Sequence, residues 1–269
     1  MVTSIVSIRF ISLSSSSRYG NAYLFEGPQG TRILIDCGVK LRRMEKILDE
    51  LRVDPLSIQG IFLTHEHYDH IAALKLRIPL PQRYGIPVYA TSHLWSAIKK
   101  TMGPLDSCLV RRVPRNATLR VGELSITSFS KPHDAVDPVS FLIRTNNVQA
   151  AVVTDLGWVP DSLIELLRGT EYLVFESNHD QEMELNSGRD YQLVQRVLGS
   201  NGHLSNHQAA KALSKIINQD TRGIMLAHLS LDCNRPDLAQ RIVNKELRAV
   251  NYQGFLTVAP GDGPSKWFP

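Results

Sequence analysis

The chain has 269 residues, of which 43% are hydrophobic and 21% charged, with a formal net charge of +4. This composition excludes general disorder and supports a sizeable core, and the mild positive balance suits an acidic ligand without requiring nucleic acid. Three widely spaced cysteines, Cys37, Cys108 and Cys233, exclude a disulfide framework and a cysteine-rich zinc site.

The chain opens MVTSIVSIRFISL. Arg9 interrupts the apolar run and no small-residue cleavage site follows, so the stretch reads as a first strand rather than a signal peptide. No apolar run is long enough to span a membrane. SLSSSSRYGN, Ser12 to Asn21, reads as a strand-ending loop rich in hydroxyls, with Arg18 available to a phosphate. TRILIDCG is the next strand. KLRRMEKILDELRV places Leu41, Met44, Ile47, Leu48 and Leu51 on one helical face. IQGIFLT and IPVYA are strands, SHLWSAIKK a helix, and LRV, LSITSFS, VSFLIRT and VQAAVVTD strands again. PDSLIELLRG is a helix and EYLVFES a strand. SNHQAAKALSKIIN opens with Ser205 and Gln208 in capping-box spacing. GIMLAHLS, the helix RPDLAQRIVNKELRAV and the strand FLTVAP close the chain. Strands covered by helices on two sides predict an α/β fold, a four-layer αββα sandwich. No Pro/Ser-rich linker divides it, so residues 1–269 read as a single domain.

The densest chemistry is THEHYDH, directly after the strand GIFLT. His65 and His67 are two apart, so in an extended segment they point the same way. Asp69 and His70 follow once the chain turns and are free to serve a second ion. Imidazole with carboxylate suits zinc, manganese or iron. A polar loop with chance histidines is the bland alternative, and the motif is too dense for it.

THEHYDH resembles the HxHxDH signature of the metallo-β-lactamase fold superfamily. Further stations match in order: LIDCG with Asp36, HDAVDPVSF with His133, VVTDLG with Asp155, and GIMLAHLS with His228. The resemblance implies one metal on His65, His67 and His133, a second on Asp69, His70 and His228, and Asp155 bridging them. It implies a supporting role for Asp36 beneath the metal loop. The ions are two divalent cations, zinc or manganese. Two such ions a few Å apart clamp a phosphodiester and acidify a bridging water.

Asp155, rather than cysteine, stands at the bridging position, which departs from the antibiotic-hydrolysing branch. LVFESNHD and NGHLSNHQAAKAL, with TDLG and HLSLDCNRP, resemble the YycJ/WalJ-like branch, whose members look like DNA exonucleases. By similarity to a GHS motif in the tRNA-maturing branch, His203 is the candidate general acid and Glu176 its orienter, with Asp69 a candidate to assist proton transfer. His179, Ser205, Asn206 and Arg18 are candidate substrate contacts. For Ser205, a plain helix cap is the competing reading. The expectation is therefore a cytoplasmic dinuclear phosphodiesterase. It would hydrolyse DNA, single or double stranded, as an exonuclease, through a metal-bridging hydroxide. The alternatives are a small-molecule metallohydrolase (a cyclic nucleotide phosphodiesterase or lactonase) and a non-catalytic metal-binding interaction module.

Overall fold

Residues 9–26 form an antiparallel hairpin whose strands are buried at nearly every position, and it runs further than the sequence indicates. In the computed structural model, which describes residues 8–268, β1 spans Arg9–Ser16 and β2 spans Gly20–Glu26. Residues 1–7, where the expected first strand begins, lie outside the described residues. The hydroxyl-rich segment is thus not a strand-ending loop. Ser12, Ser14, Ser15 and Ser16 are fully buried within β1, a tight turn carries Arg18 and Tyr19, and Asn21 already belongs to β2. The strand ladder satisfies their backbone, and Ser15 Oγ pairs with Tyr23 Oη at 2.7 Å, while Ser12 Oγ is buried with no hydrogen-bond partner among the described residues.

The chain divides into two compact units, one of residues up to 130 with 135–149 and 262–269, the other of 131–134 with 150–261. In the first unit, β1 and β2 continue into β3 (Arg32–Ile35), β4 (Ile58–Phe62), β5 (Val88–Ala90) and β6 (Val110–Arg112), hydrogen-bonded in that order. The first three strands are antiparallel and the rest parallel. Helices α1 (Leu41–Glu50), α2 (Tyr68–Ile71), α3 (Leu80–Tyr84) and α4 (Ser92–Ile98) occupy the crossovers. The predicted face of α1 buries Met44, Ile47 and Leu48 in one cluster with Leu24, Leu34 and Ile61, while Leu41 and Leu51 pack at its margin. Each such fully buried aliphatic chain contributes roughly 1.5–3 kcal/mol. Strands β7 (Thr118–Val121), β8 (Leu124–Ser130) and β9 (Val139–Arg144) form an antiparallel meander.

The second unit is built on parallel strands β10 (Gln149–Val153), β11 (Tyr172–Glu176), β12 (Gly223–Ala227) and β13 (Phe255–Val258). β11 and β12 are buried at every position, which is why they read as continuous apolar runs rather than alternating ones. Between the strands lie α5 (Asp161–Leu167), α6 (Gln181–Leu185), α7 (Tyr191–Leu198), α8 (Asn206–Ile216) and α9 (Pro236–Ala249). The capping box of α8 is present in full, with Ser205 and Gln208 exchanging both hydrogen bonds. Pro236 stands in the first turn of α9, where its missing N–H costs nothing. Cys37 and Cys233 are buried free thiols and Cys108 is exposed. No helix among the described residues is long and apolar enough to cross a membrane.

Candidate metal centre

In the first unit the metal-ligand candidates hang from the ends of β3 and β4. Asp36 follows β3 in a left-handed conformation, φ 61°, and is fully buried. Its Oδ1 accepts the Thr64 N–H and its Oδ2 the Thr64 hydroxyl, both at 2.8 Å. His70 Nδ1 lies 2.7 Å from Asp36 Oδ2. A carboxylate only accepts, so His70 carries its proton on Nδ1 and keeps a lone pair on Nε2. The same logic fixes His65. Its Nδ1 sits 2.8 Å from Thr64 Oγ1, whose proton is committed to Asp36, so His65 donates from Nδ1 and leaves Nε2 as its ligand atom.

His65 Nε2 then stands 3.1 Å from His67 Nδ1. Two nitrogens on a tetrahedral ion with ~2.05 Å bonds would be about 3.3 Å apart, so the pair has the spacing of one coordination edge. Asp69 Oδ2 lies 3.5 Å from His70 Nε2, and the Asn21 amide nitrogen reaches both, at 3.0 and 3.1 Å. Close backbone contact sets this geometry: a Cβ on Gly38 would fall 1.5 Å from the Asp69 carbonyl oxygen. Arg18 is exposed on the β1–β2 turn.

In the second unit the candidates gather around one carboxylate. Glu176 ends β11 and is fully buried. Its Oε1 accepts the Asp155 N–H at 3.1 Å and His203 Nδ1 at 2.9 Å; its Oε2 accepts the Leu156 and Leu204 N–H groups at 3.1 and 3.0 Å. Burial opposes its charge, but the charge and hydrogen bond of His203 and the hydrogen bond of His228 outweigh it, holding the carboxyl well below its usual range. His228 Nδ1 lies 3.2 Å from Glu176 Oε1, and its Nε2 lies 3.2 Å from Asp155 Oδ1. With the proton on Nδ1, an imidazole lone pair faces a carboxylate oxygen. Such a pair is repulsive until a cation joins it, so these residues fit a divalent metal.

Asp155 and His228 follow β10 and β12 in left-handed conformations, φ 59° and 57°. His133 donates from Nδ1 toward the Asn201 and Gly202 carbonyls at 3.1 and 3.2 Å, which again leaves Nε2 for a ligand. His203 is held by its bond to Glu176 with its ring stacked 5.2 Å from that of His228. Asp155, Glu176, His203 and His228 bring ligand atoms within 4.8 Å of one another.

Several supporting residues escaped the sequence reading. Lys131 is buried, donates to the Thr154 carbonyl at 2.6 Å and lies 3.8 Å from Asp155 Oδ2. Asn178 donates to the His228 carbonyl at 2.7 Å. Thr64 and Asn21 do the equivalent work in the first unit. None belongs to a spacing pattern; only "polar residue next to a ligand strand end" could have flagged them.

Of the expected substrate contacts, Asn206 is fully buried. It is committed to Ser177 and Asn234 through bonds of 2.6 and 2.9 Å, which tie the end of β11 to the start of α8. Ser205 is the working cap of α8. His179 is 1% exposed; burial holds its pKa below the usual value, and its Nδ1 makes no hydrogen bond.

Residues 31–228 match the family described as the beta-lactamase superfamily domain. Exodeoxyribonuclease YycJ of Bacillus anthracis is 35% identical over 244 residues, covering 90% of this chain and 90% of that protein. Exodeoxyribonuclease WalJ of Streptococcus pneumoniae is 30% identical over 238 residues, covering 88% and 87%. The metallo-β-lactamase fold protein YhfI from Bacillus subtilis superposes with a TM-score of 0.71 at 17% identity, over 97% of this chain and 100% of that one. That likeness shows the fold, the α/β class that the sequence predicts.

Proposed function

The chain belongs to the metallo-β-lactamase superfamily, in the branch of its YycJ and WalJ relatives, and is a metal-dependent hydrolase; from that premise we propose that it is a dinuclear phosphodiesterase that degrades DNA as an exonuclease. In this reading residues 1–269 act as one cytoplasmic hydrolase domain. His65, His67 and His133 would hold one ion and Asp69, His70 and His228 the other, with the Asp155 carboxylate available to both. Two bound zinc or manganese ions supply Lewis-acid stabilisation of phosphoryl charge and an acidified water. The chain's own residues do the rest. Asp36 fixes His70 and, through Thr64, His65 in the tautomers that ligate. Asp69 assists proton removal from the attacking water. His203 gives a proton from Nε2 to the departing oxygen while Glu176 holds its Nδ1.

The observation that supports this most is the Glu176 carboxylate. It joins the general-acid candidate and the metal-ligand strand ends Asp155 and His228 through bonds of 2.9–3.2 Å. A site built only to store a metal has no use for the His203 arm. The test is a cleavage panel of end-labelled DNA and RNA, single and double stranded, with zinc- or manganese-loaded protein. Stepwise shortening of DNA from one end is expected, weakening steeply with salt. Turnover of cyclic nucleotides or lactones without DNA cleavage would replace this reading by a small-molecule one. Absence of any hydrolysis with both ions bound would leave a metal-binding interaction module.

A further inference from the structure

A cavity of about 230 Å³ lies in the second unit, lined by His179, Gln181, Ser205, His207 and Lys211, with Gln208 beside them. None of these side chains is acidic. His207 and Lys211 are one helical turn apart on α8, so they share a face, and both are exposed. Two of the N–H groups at the start of α8 are already engaged. The Asn206 N–H is spent on the His179 carbonyl at 2.8 Å, and the Gln208 N–H on Ser205 Oγ. Side chains line the cavity. His179 is the telling residue: an imidazole 1% exposed, lining the cavity, with Nδ1 lacking any hydrogen-bond partner. A buried polar atom left unpaired is costly and calls for a ligand. The carboxylates that could have claimed it are engaged elsewhere. Glu176 accepts from four N–H groups, Asp180 accepts the Met183 N–H at 3.0 Å, and Glu184 pairs with Arg189 at 3.3 Å.

Lys211 has no ion-pair partner among the described residues. The cavity therefore offers one ammonium, two imidazoles, amides and a hydroxyl from several directions, and only Leu198 as apolar wall. Such a cage suits a tetrahedral oxyanion rather than a base. Its volume equals the liquid share of roughly eight waters, room for a phosphate group and part of its hydration.

The cavity is also in register with the general-acid pair. Residues 178–179 run beside 204–206, with the Asn178 N–H on the Leu204 carbonyl at 2.9 Å and an isolated bridge between His179 and Ser205. Glu176 and His203 lie just before these residues on the same two segments. We propose that the cavity is a subsite for a second phosphate of the strand being cleaved. The inference rests on the phosphodiesterase reading and narrows it: the substrate carries at least two phosphates, as an oligonucleotide does and a simple cyclic diester does not.

The test uses zinc-loaded full-length protein with inorganic phosphate as the first probe, following the imidazole resonances of His179 by NMR. Saturable shifts are expected, weakened about 10-fold by Lys211→Gln and again by His207→Gln. Both positions are exposed, so the variants fold. Uncleavable phosphorothioate oligonucleotides bearing a 5′-phosphate, a 3′-phosphate or only hydroxyl ends then identify the source. A gain confined to one phosphorylated end assigns a terminal phosphate. Equal weakening of all three by Lys211→Gln assigns an internal one. Either pattern upholds the subsite. His179 resonances that ignore phosphate, or that respond in both variants as strongly as in the wild type, overturn it. Shortening of an end-labelled unmodified oligonucleotide by the same wild-type preparation reports separately on the phosphodiesterase reading: phosphate binding without cleavage sinks that reading and leaves an anion pocket.

Discussion

Replacing Glu176 with glutamine removes one charge and changes almost no volume, so its effect isolates what the carboxylate does. Oε1 faces the Asp155 N–H and His203 Nδ1; Oε2 faces the Leu156 and Leu204 N–H groups. Whichever way the new amide turns, its NH₂ opposes two donors in a fully buried place. Each unmade buried bond costs ~1–3 kcal/mol, so the variant should lose ~2–6 kcal/mol of folding stability. That is a large share of the ~5–15 kcal/mol that holds an ordinary domain together, yet not all of it. Urea unfolding followed by circular dichroism, with chelator present so that metal binding adds nothing, measures the loss. The pH dependence has a definite sign. The folded carboxyl titrates below its usual range, so its contribution is complete above the usual glutamate pKa and is lost as the pH falls. The gap between wild type and Glu176→Gln should therefore narrow toward acid. Activity should drop about 100- to 10,000-fold, the usual worth of a general acid. A variant within about 1 kcal/mol of wild type and fully active would refute the placement of Glu176 at the centre of the second unit.

Four further outcomes are expected. Asp155→Asn keeps a residue that tolerates the left-handed conformation and removes the charge; metal content by mass spectrometry should fall sharply, and undiminished nuclease activity in verified metal-loaded protein would contradict the ligand assignment. Asp36→Asn should weaken metal binding about 10- to 100-fold in a competition with a chromophoric chelator, because His70 loses the acceptor that sets its tautomer. Gly38→Ala drives a Cβ onto the Asp69 carbonyl and should cost ~3 kcal/mol or more, visible as a lower melting temperature. Ser205→Ala breaks the capping box of α8 and should cost about 1 kcal/mol in urea unfolding, with no effect on metal content.

The sequence discloses most where chemistry and period are dense. His65, His67, Asp69 and His70 stand within six positions, and the buried parallel strands announce themselves as apolar runs. It misleads at β1 and β2, because four serines fill buried positions that ordinarily hold apolar residues; the strand ladder satisfies their backbone, Ser15 pairs with Tyr23, and polarity alone reads as a loop. The short helices α6 and α7 were missed too. Their caps, Asp180 and Asp190, each accept a first-turn N–H and stand in DQEM and DYQL; α6 is too short and polar to set up a helical period, whereas Val194, Val197 and Leu198 in α7 carry one. Lys131, Asn21 and Asn178 leave no periodic signal of their role, since each acts by position against a residue far along the chain. Conversely, Asn206, which looks like a ligand contact in GHLSN, is spent on internal bonds, while His207 and Lys211, exposed on the same helix, line a cavity.

Asp36, Asp155 and His228 each leave a strand through a left-handed residue, a conformation that costs a non-glycine residue about 1–3 kcal/mol. The backbone on either side has to hold that shape against its own preference, with or without an ion. These turns work like sprung clips fixed before loading: removing the metal should leave them set, and returning it should need no refolding. They also narrow the routes by which the family can drift. Glycine and asparagine accept such a turn readily, yet glycine brings no ligand atom and asparagine brings no charge. At these three strand ends a neutral substitution in backbone terms is a costly one in chemical terms, and the reverse holds as well.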